Sequence, residues 1–194
     1  SDAQAQFVTA TGGTTANSPC GNFKIHTFTG PGTFNVTQVA DNSANNEVSY
    51  VVVGAGASGS SNTYSGPHDA GAGGGAGGFR EYKSSVDSYT ASPLNGNPGG
   101  TAITVSAIAY PITVGGGGAS QTGNSCGANG NVSTFDTVTS AGGGKGGKCS
   151  TVGTGGSGGG GGRDSNQTGG AGNTPPTSPS QGNNGGNSVA GPYG

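Results

Sequence analysis

Two glycine motifs in this chain have the residue types and spacing of nucleotide chemistry. Val51-Val52-Val53 runs into Gly54-Ala55-Gly56-Ala57-Ser58-Gly59, which fits G-x-G-x-x-G after a strand. Such a motif holds a pyrophosphate only when a helix opens at its last glycine, because the helix N-terminus supplies free amides and partial positive charge. Ser60-Ser61-Asn62-Thr63-Tyr64-Ser65-Gly66-Pro67 follows, and it cannot be that helix. Glu81 lies near the offset of a ribose-binding acid, but no second strand of a βαβ unit leads to it. Gly142 to Lys148 fits G-x-x-x-x-G-K. A phosphate loop then needs Ser or Thr for the metal, whereas Cys149 follows here with no helix behind it. Lys145 and Lys148 read instead as decoration on a glycine loop.

The remaining chemistry-bearing residues do not cluster. His26 sits in an alternating strand and His68 in a glycine loop, while metal binding needs three or four convergent donors. No Ser-His-Asp arrangement can be assembled, and Arg163-Asp164 reads as a local ion pair or turn. No catalytic, cofactor-binding or metal site is expected, and no enzymatic activity. Asn35, Asn131 and Asn166 head glycosylation sequons that a chain this rich in Asn, Ser and Thr produces by chance. The cysteines are Cys20, Cys126 and Cys149. A Cys126–Cys149 bridge and three small unreactive thiols both remain open. Tyr64, His68, Phe79, Tyr82, Tyr89, Tyr110 and Tyr193 lie in or beside loops of the glycine region. Of these, Tyr64, His68, Tyr82, Tyr89 and Tyr193 are the candidate surface-contact residues, because aromatics on rigidly held loops commonly meet carbohydrate or protein. Packing over the edges of the glycine region is the alternative.

Composition restricts what could position such loops. Glycine makes up 46 of 194 residues, against an average near 7%. Only 7% of residues are charged, net charge is −2, and apolar residues reach 28%. Disordered chains usually carry high net charge. A near-neutral glycine chain is either a mobile coil or a lattice of backbone packed on backbone. The absence of a basic stripe argues against nucleic acid. No apolar run is long enough for a membrane helix. No signal-peptide pattern opens the chain and Ser1 is not an initiator methionine, so a trimmed, processed or partial chain is expected.

The elements read as all-β. Gln6–Thr11 is a short first strand. Asn22–Thr29 and Thr33–Thr37 alternate about the turn Gly30-Pro31-Gly32 and are expected to pair as a hairpin. Asp41–Asn46 is a polar loop. Glu47–Val53 is a strand whose unbroken Tyr-Val end predicts burial on both faces. Residues 1–54 thus form an N-terminal antiparallel β-module. Residues 55–194 form a glycine-rich region ending in a Pro/Asn/Gly-rich tail, 173–194. Short strand-like segments recur in it at 79–82, 102–105, 110–114 and 132–139. No window has helical periodicity, and each interior glycine would cost a helix about 1 kcal/mol. The recurring β-segments favour an ordered bundle of extended, polyglycine II-like strands. In that bundle Gly54 and Gly56 are expected to permit close strand approach.

Several stretches resemble a known family. They are Thr9-Ala10-Thr11-Gly12-Gly13-Thr14, the run from Phe23 to Phe34, Val52-Val53-Gly54, Gly73 to Glu81, Tyr110 to Gly115, Gly172 to Thr177, and Gln181 to Gly186. Together they resemble the glycine-rich structural proteins of tailed bacteriophages, most of all those of marine and freshwater phages including cyanophages. The resemblance spans about residue 9 to the end. It implies a non-enzymatic virion component, a tail-fibre or adhesin element with a polyglycine II bundle and variable loops that touch host receptors. Expected partners are other copies or virion proteins, and a host-surface glycan or protein. The expected location is the virion or the extracellular space. Gly191-Pro192-Tyr193-Gly194 departs from the family, whose members continue into another glycine run, and the cysteines match no family signature. The alternatives are a self-assembling extracellular filament or coat subunit, and a glycine-rich antifreeze-like lattice binder. The irregular glycine intervals count against the last.

Overall fold

The structure is a computed structural model that describes residues 5–19, 21–61, 71–97, 101–148, 151–162 and 166–189. In chain order the strands are β1 (Thr9–Thr11), β2 (Thr14–Asn17), β3 (Lys24–Thr27), β4 (Gly32–Gln38), β5 (Glu47–Val48), β6 (Tyr50–Val53), β7 (Phe79–Tyr82), β8 (Ile103–Thr104), β9 (Ala109–Thr113), β10 (Ser133–Phe135) and β11 (Val138–Ser140). A single 3₁₀ turn, Ser43–Asn46, is the only helical element among the described residues. Asn42 caps it by accepting from Ala44 N. The chain is all-β.

One sheet runs β1-β4-β9-β10-β11, and the pairs β2-β3, β5-β8 and β6-β7 stand beside it. Every strand pair is antiparallel. The expected hairpin across Gly30-Pro31-Gly32 does not form. β3 pairs with β2, with Thr14 opposite Thr27, and β4 takes β1 on one side and β9 on the other. Period-two alternation marks both runs as strands but does not name a partner. Gly-Pro-Gly is also not one of the two-residue turns that enforce pairing.

The change of composition at Gly54 is not a boundary in the hydrogen bonding. β4, β5 and β6 each pair with a strand from beyond it, β9, β8 and β7. Residues 132–139 fold back on themselves: Phe135 faces Val138, and Asp136 turns the chain at φ +50.

The hydrophobic core lies between the large sheet and β6-β7. Phe135 is its hub, with ring centroids 5.9 Å from Phe34, 6.0 Å from Tyr50 and 6.1 Å from Tyr110, all near-perpendicular or edge-on. Such edge-to-face pairs add about 0.5–1.5 kcal/mol each beyond area burial. Val36, Ile103, Val105 and Val138 fill the spaces. The expectation that the Tyr-Val run is buried on both faces is corrected here. Tyr50 and Val52 point inward, but Val51 and Val53 are 55% and 53% exposed. Only one face of β6 has a sheet packed against it, so the strand alternates like any half-buried strand.

Beyond the sheets the chain becomes a bundle of extended glycine segments. The legs 54–61, 71–78, 115–118, 125–131, 141–148, 151–155, 156–162, 167–173 and 181–188 run alternately away from the sheets and back. Their bonding repeats every third residue. Gly54, Ala57 and Ser60 donate to Gly78, Gly75 and Ala72 on one neighbour. Ala55, Ser58 and Ser61 donate to Asn131, Ala128 and Ser125 on another, while Gly143 and Gly146 donate to Ala55 and Ser58 from a third. Three residues per turn is the polyproline II repeat, and it turns successive peptide groups toward different neighbours. Each leg is therefore bonded on several sides, unlike a β-strand. The parallel pair 144/147 to 157/160 and the antiparallel pair 185/188 to 170/167 keep the same period.

The interior legs have no room for side chains. A Cβ built on Gly54 would lie 2.0 Å from Ala141 O, and on Gly143 2.0 Å from Gly75 O. Gly56 behaves differently, because its Cβ would meet nothing closer than Gly75 O at 3.9 Å. It lies on the outside of the bundle and is not needed for close approach, contrary to expectation.

Candidate contact surface

Amides and carbonyls along the bundle determine what the two nucleotide-like motifs can do. Ala55, Ala57 and Ser58 N–H groups are bonded to Asn131, Gly75 and Ala128 carbonyls. Gly143, Gly144, Gly146 and Gly147 N–H groups are bonded to Ala55, Ser157, Ser58 and Gly160. The amides that would have to face a phosphate face neighbouring legs instead. Lys148 Nζ donates to Ser61 O at 3.2 Å, so the motif's lysine belongs to the bundle's own bonding, and the Lys145 backbone N–H donates to Asn129 Oδ1 at 2.8 Å.

Where a leg lacks a neighbour, a side-chain amide substitutes for a peptide group. Asn129, Asn184 and Asn187 accept from Lys145, Gly172 and Gly169 N–H, each at 2.8–2.9 Å. Gln167 Oε1 accepts from Gly162 N at 2.9 Å. Asn131 Nδ2, in one of the sequons, donates to Gly116 O at 3.2 Å. Sequence reading passed over these residues as composition. Their signal is an Asn or Gln flanking glycine runs that pack against each other.

The register collects the bundle's turns at two ends. At the sheet end Gln181 is the fastening. It is 2% exposed, its Oε1 accepts from Ala141 N at 2.8 Å, and its Nε2 donates to Pro175 O at 2.7 Å. Asn173, at φ +49, shapes the adjoining loop by accepting from Thr177 and Gln181 N–H. The segment 173–181 therefore lies at the junction with the sheets. At the far end the chain leaves at Ser61 and returns at Gly71, and the turn 119–124 and the leg ends at Lys148, Thr151, Gly162 and Asn166 share that level. The register there pairs Ser61 with Ser125, Gly147 with Gly160, and Gln167 with Ser188.

The candidate contact residues do not converge. Tyr64, His68 and Tyr193 lie outside the described residues. Tyr82 is a core residue rather than a contact residue: it is 5% exposed and stacks on Tyr50 at 6.0 Å. It pairs with Tyr50 on the inward face of β6-β7, a placement that alternation within Phe79–Tyr82 did not reveal. Burial pushes the Tyr82 and Tyr50 hydroxyls above their ordinary pKa, and hydrogen bonding to Glu47 adds to the shift at Tyr82. Tyr50 OH donates to Thr101 O at 2.6 Å.

Tyr89 is exposed, with Lys83 Nζ 5.6 Å from its ring centroid. Its hydroxyl is pushed up first by burial and then by the charges of Glu81 and Asp87, while a hydrogen bond to Ser49 opposes them. Ser49 Oγ in turn donates to Asp87. This group stands beyond Tyr50 and Tyr82, at the end of β6-β7 remote from the bundle. Tyr110 is also buried, and its hydroxyl accepts from Ser106 N at 2.8 Å. His26 Nδ1–H donates to Gly12 O at 2.8 Å. Cys126 is disulfide-bonded, so the reading of three free thiols does not hold; Cys149, the partner in the other reading, lies outside the described residues. Among the described residues no group of His, Cys, Asp or Glu could hold a metal. Nor does any helix there have the length and apolarity to cross a membrane.

No curated protein and no solved structure matches the chain. The match to a glycine-rich domain covers residues 27–194, from the end of β3 through the whole bundle. The chain belongs to that glycine-rich domain family.

Proposed function

We propose that the chain is a non-enzymatic structural protein of a tailed-phage virion, a tail-fibre or adhesin element that presents loops to the host surface. The observation that carries this reading is the bundle register, which sends the turn 119–124 and the leg ends at Ser61, Gly71, Lys148, Thr151, Gly162 and Asn166 to one end. A glycine-rich lattice whose legs are each bonded on several sides supports a rigid base, so loops at its end vary without disturbing it. Several copies per particle would multiply weak contacts by effective concentration.

The test is adsorption of purified protein to host cells. Exchanging residues 62–70 for an unrelated sequence is expected to abolish adsorption. Exchanging 174–180, at the sheet junction, is expected to leave it intact in protein that still folds. Unchanged adsorption after the 62–70 exchange refutes the far end as the contact. A filament or coat subunit is the second reading, favoured by Val51 and Val53 exposed on the outer face of β6. Concentration-dependent fibres in light scattering would support it against the adhesin.

A further inference from the structure

The two stretches Thr9–Thr14 and Phe23–Phe34, singled out in the sequence, come together to line an open surface depression of about 310 Å³. Phe28 and the threonines Thr14, Thr27, Thr29 and Thr33 line it, and no charged residue does. The Phe28 ring is seated on glycine. A methyl on Gly12, Gly13 or Gly32 would stand only 3.4, 3.2 or 3.1 Å from its carbons. Gly12 and Gly13 hold φ of +108 and +64, which other residues rarely adopt, and His26 fastens Gly12 O from behind. Among the described residues, none of the four threonine hydroxyls has a hydrogen-bond partner in the chain. The wall is thus a fixed aromatic ring fringed by unpartnered hydroxyls in a neutral setting.

We propose that this depression binds a neutral pyranose unit of a surface glycan. The C–H face of the sugar would lie against Phe28 and its hydroxyls would exchange hydrogen bonds with the threonine fringe. The volume suits one sugar ring with its substituents, and the lack of charge selects against uronic and sialic acids. The assignment deepens the adhesin reading and rests on it for the source of the glycan. It adds a contact among the strands β1 to β4, separate from the far-end loops.

The experiment is saturation-transfer and heteronuclear-shift NMR with glucose, galactose, mannose and N-acetylglucosamine as probes. The expected result is transfer from at least one of them, with shifts confined to Gly12–Thr14 and Thr27–Thr33. Phe28→Leu is expected to weaken binding about tenfold. Because that ring also packs on glycine, Thr29→Val is the companion variant. It removes an exposed, unpartnered hydroxyl without touching the fold, and is expected to weaken binding about fivefold. No transfer from any of the four sugars, shifts located elsewhere, or undiminished binding by both variants overturns the proposal. Sugar binding at the pocket by a protein that does not adsorb to cells overturns the adhesin reading and leaves the pocket standing. Adsorption that both variants leave unchanged, with no sugar signal, does the reverse.

Discussion

Replacing Gly143 with alanine tests whether backbone packing holds the bundle together. The new methyl would stand 2.0 Å from Gly75 O, where real Cβ atoms stay beyond 3.0 Å. The leg 71–78 must then retreat by about 1 Å. Gly75 is bonded on two sides, accepting from Ala57 N at 2.9 Å and donating to Gly144 O at 2.8 Å, and the retreat stretches both bonds. Overpacking alone costs about 1–3 kcal/mol. Each weakened hydrogen bond adds about 1 kcal/mol. The reduced freedom of the unfolded chain returns about 0.4–1 kcal/mol. The net expectation is a loss of about 3 kcal/mol, which in a chain of this size lowers the melting temperature by about 6–12 °C. Gly56→Ala is the internal control. With its nearest neighbour at 3.9 Å, only the unfolded-state effect operates, and a gain of about 0.4–1 kcal/mol is expected. Thermal and urea unfolding followed by circular dichroism measure both. Failure of Gly143→Ala to fold agrees with the reasoning. Equal effects of the two substitutions refute it, because a mobile glycine coil would treat them alike.

Gln181→Leu removes the fastening between sheet and bundle. It leaves Ala141 N unpartnered in a buried place, while Pro175 O, on an exposed residue, can turn to water, and a loss of about 1–3 kcal/mol is expected as a lower urea midpoint. Tyr50, Tyr82 and Tyr89 all have hydroxyls raised above 10.0. The folded state therefore keeps these protons at pH values where the unfolded chain has begun to lose them. Stability is full below about pH 10 and falls as pH rises beyond it, which melting curves between neutral and strongly alkaline pH would record. Tyr82→Phe, which cannot ionise, is expected to shift that fall to higher pH. Reduction of the disulfide, or Cys126→Ser, frees the unfolded chain and is expected to lower stability by about 3 kcal/mol, read as a lower melting temperature in reducing buffer.

Much of this architecture was legible because it depends on local chemistry. Alternation marked β3 and β4 to within two residues, and the absence of helical periodicity gave the class, but the run Glu47–Val53, read as one strand, divides at Ser49 into β5 and β6 with different partners. Pairing was not legible. β4 joins β9 across more than seventy positions of sequence, and nothing in the alternation of Thr33–Thr37 points to Tyr110 rather than Phe28. The inward placement of Tyr82 follows likewise from a pairing, that of β7 with β6, which sets it opposite Tyr50. The glycine legs were legible as extended but not as oriented. Gly54 and Gly56 look identical in sequence. What separates them is which third of the turn faces Ala141, and that depends on legs nearly ninety residues away.

The three-residue bonding period gives the bundle a reading frame. Residues i, i+3 and i+6 of a leg meet the same neighbour, so each leg has inward and outward lanes that follow the chain strictly. Three residues inserted into one leg of a pair and matched in its neighbour lengthen the bundle by about 9 Å and leave every lane where it was. One or two inserted residues turn all that follows by a third of a revolution, bringing alanine, serine or asparagine into lanes that admit only glycine. Such bundles are therefore expected to change length in triplets, and the outward lanes to accept any side chain along their whole run.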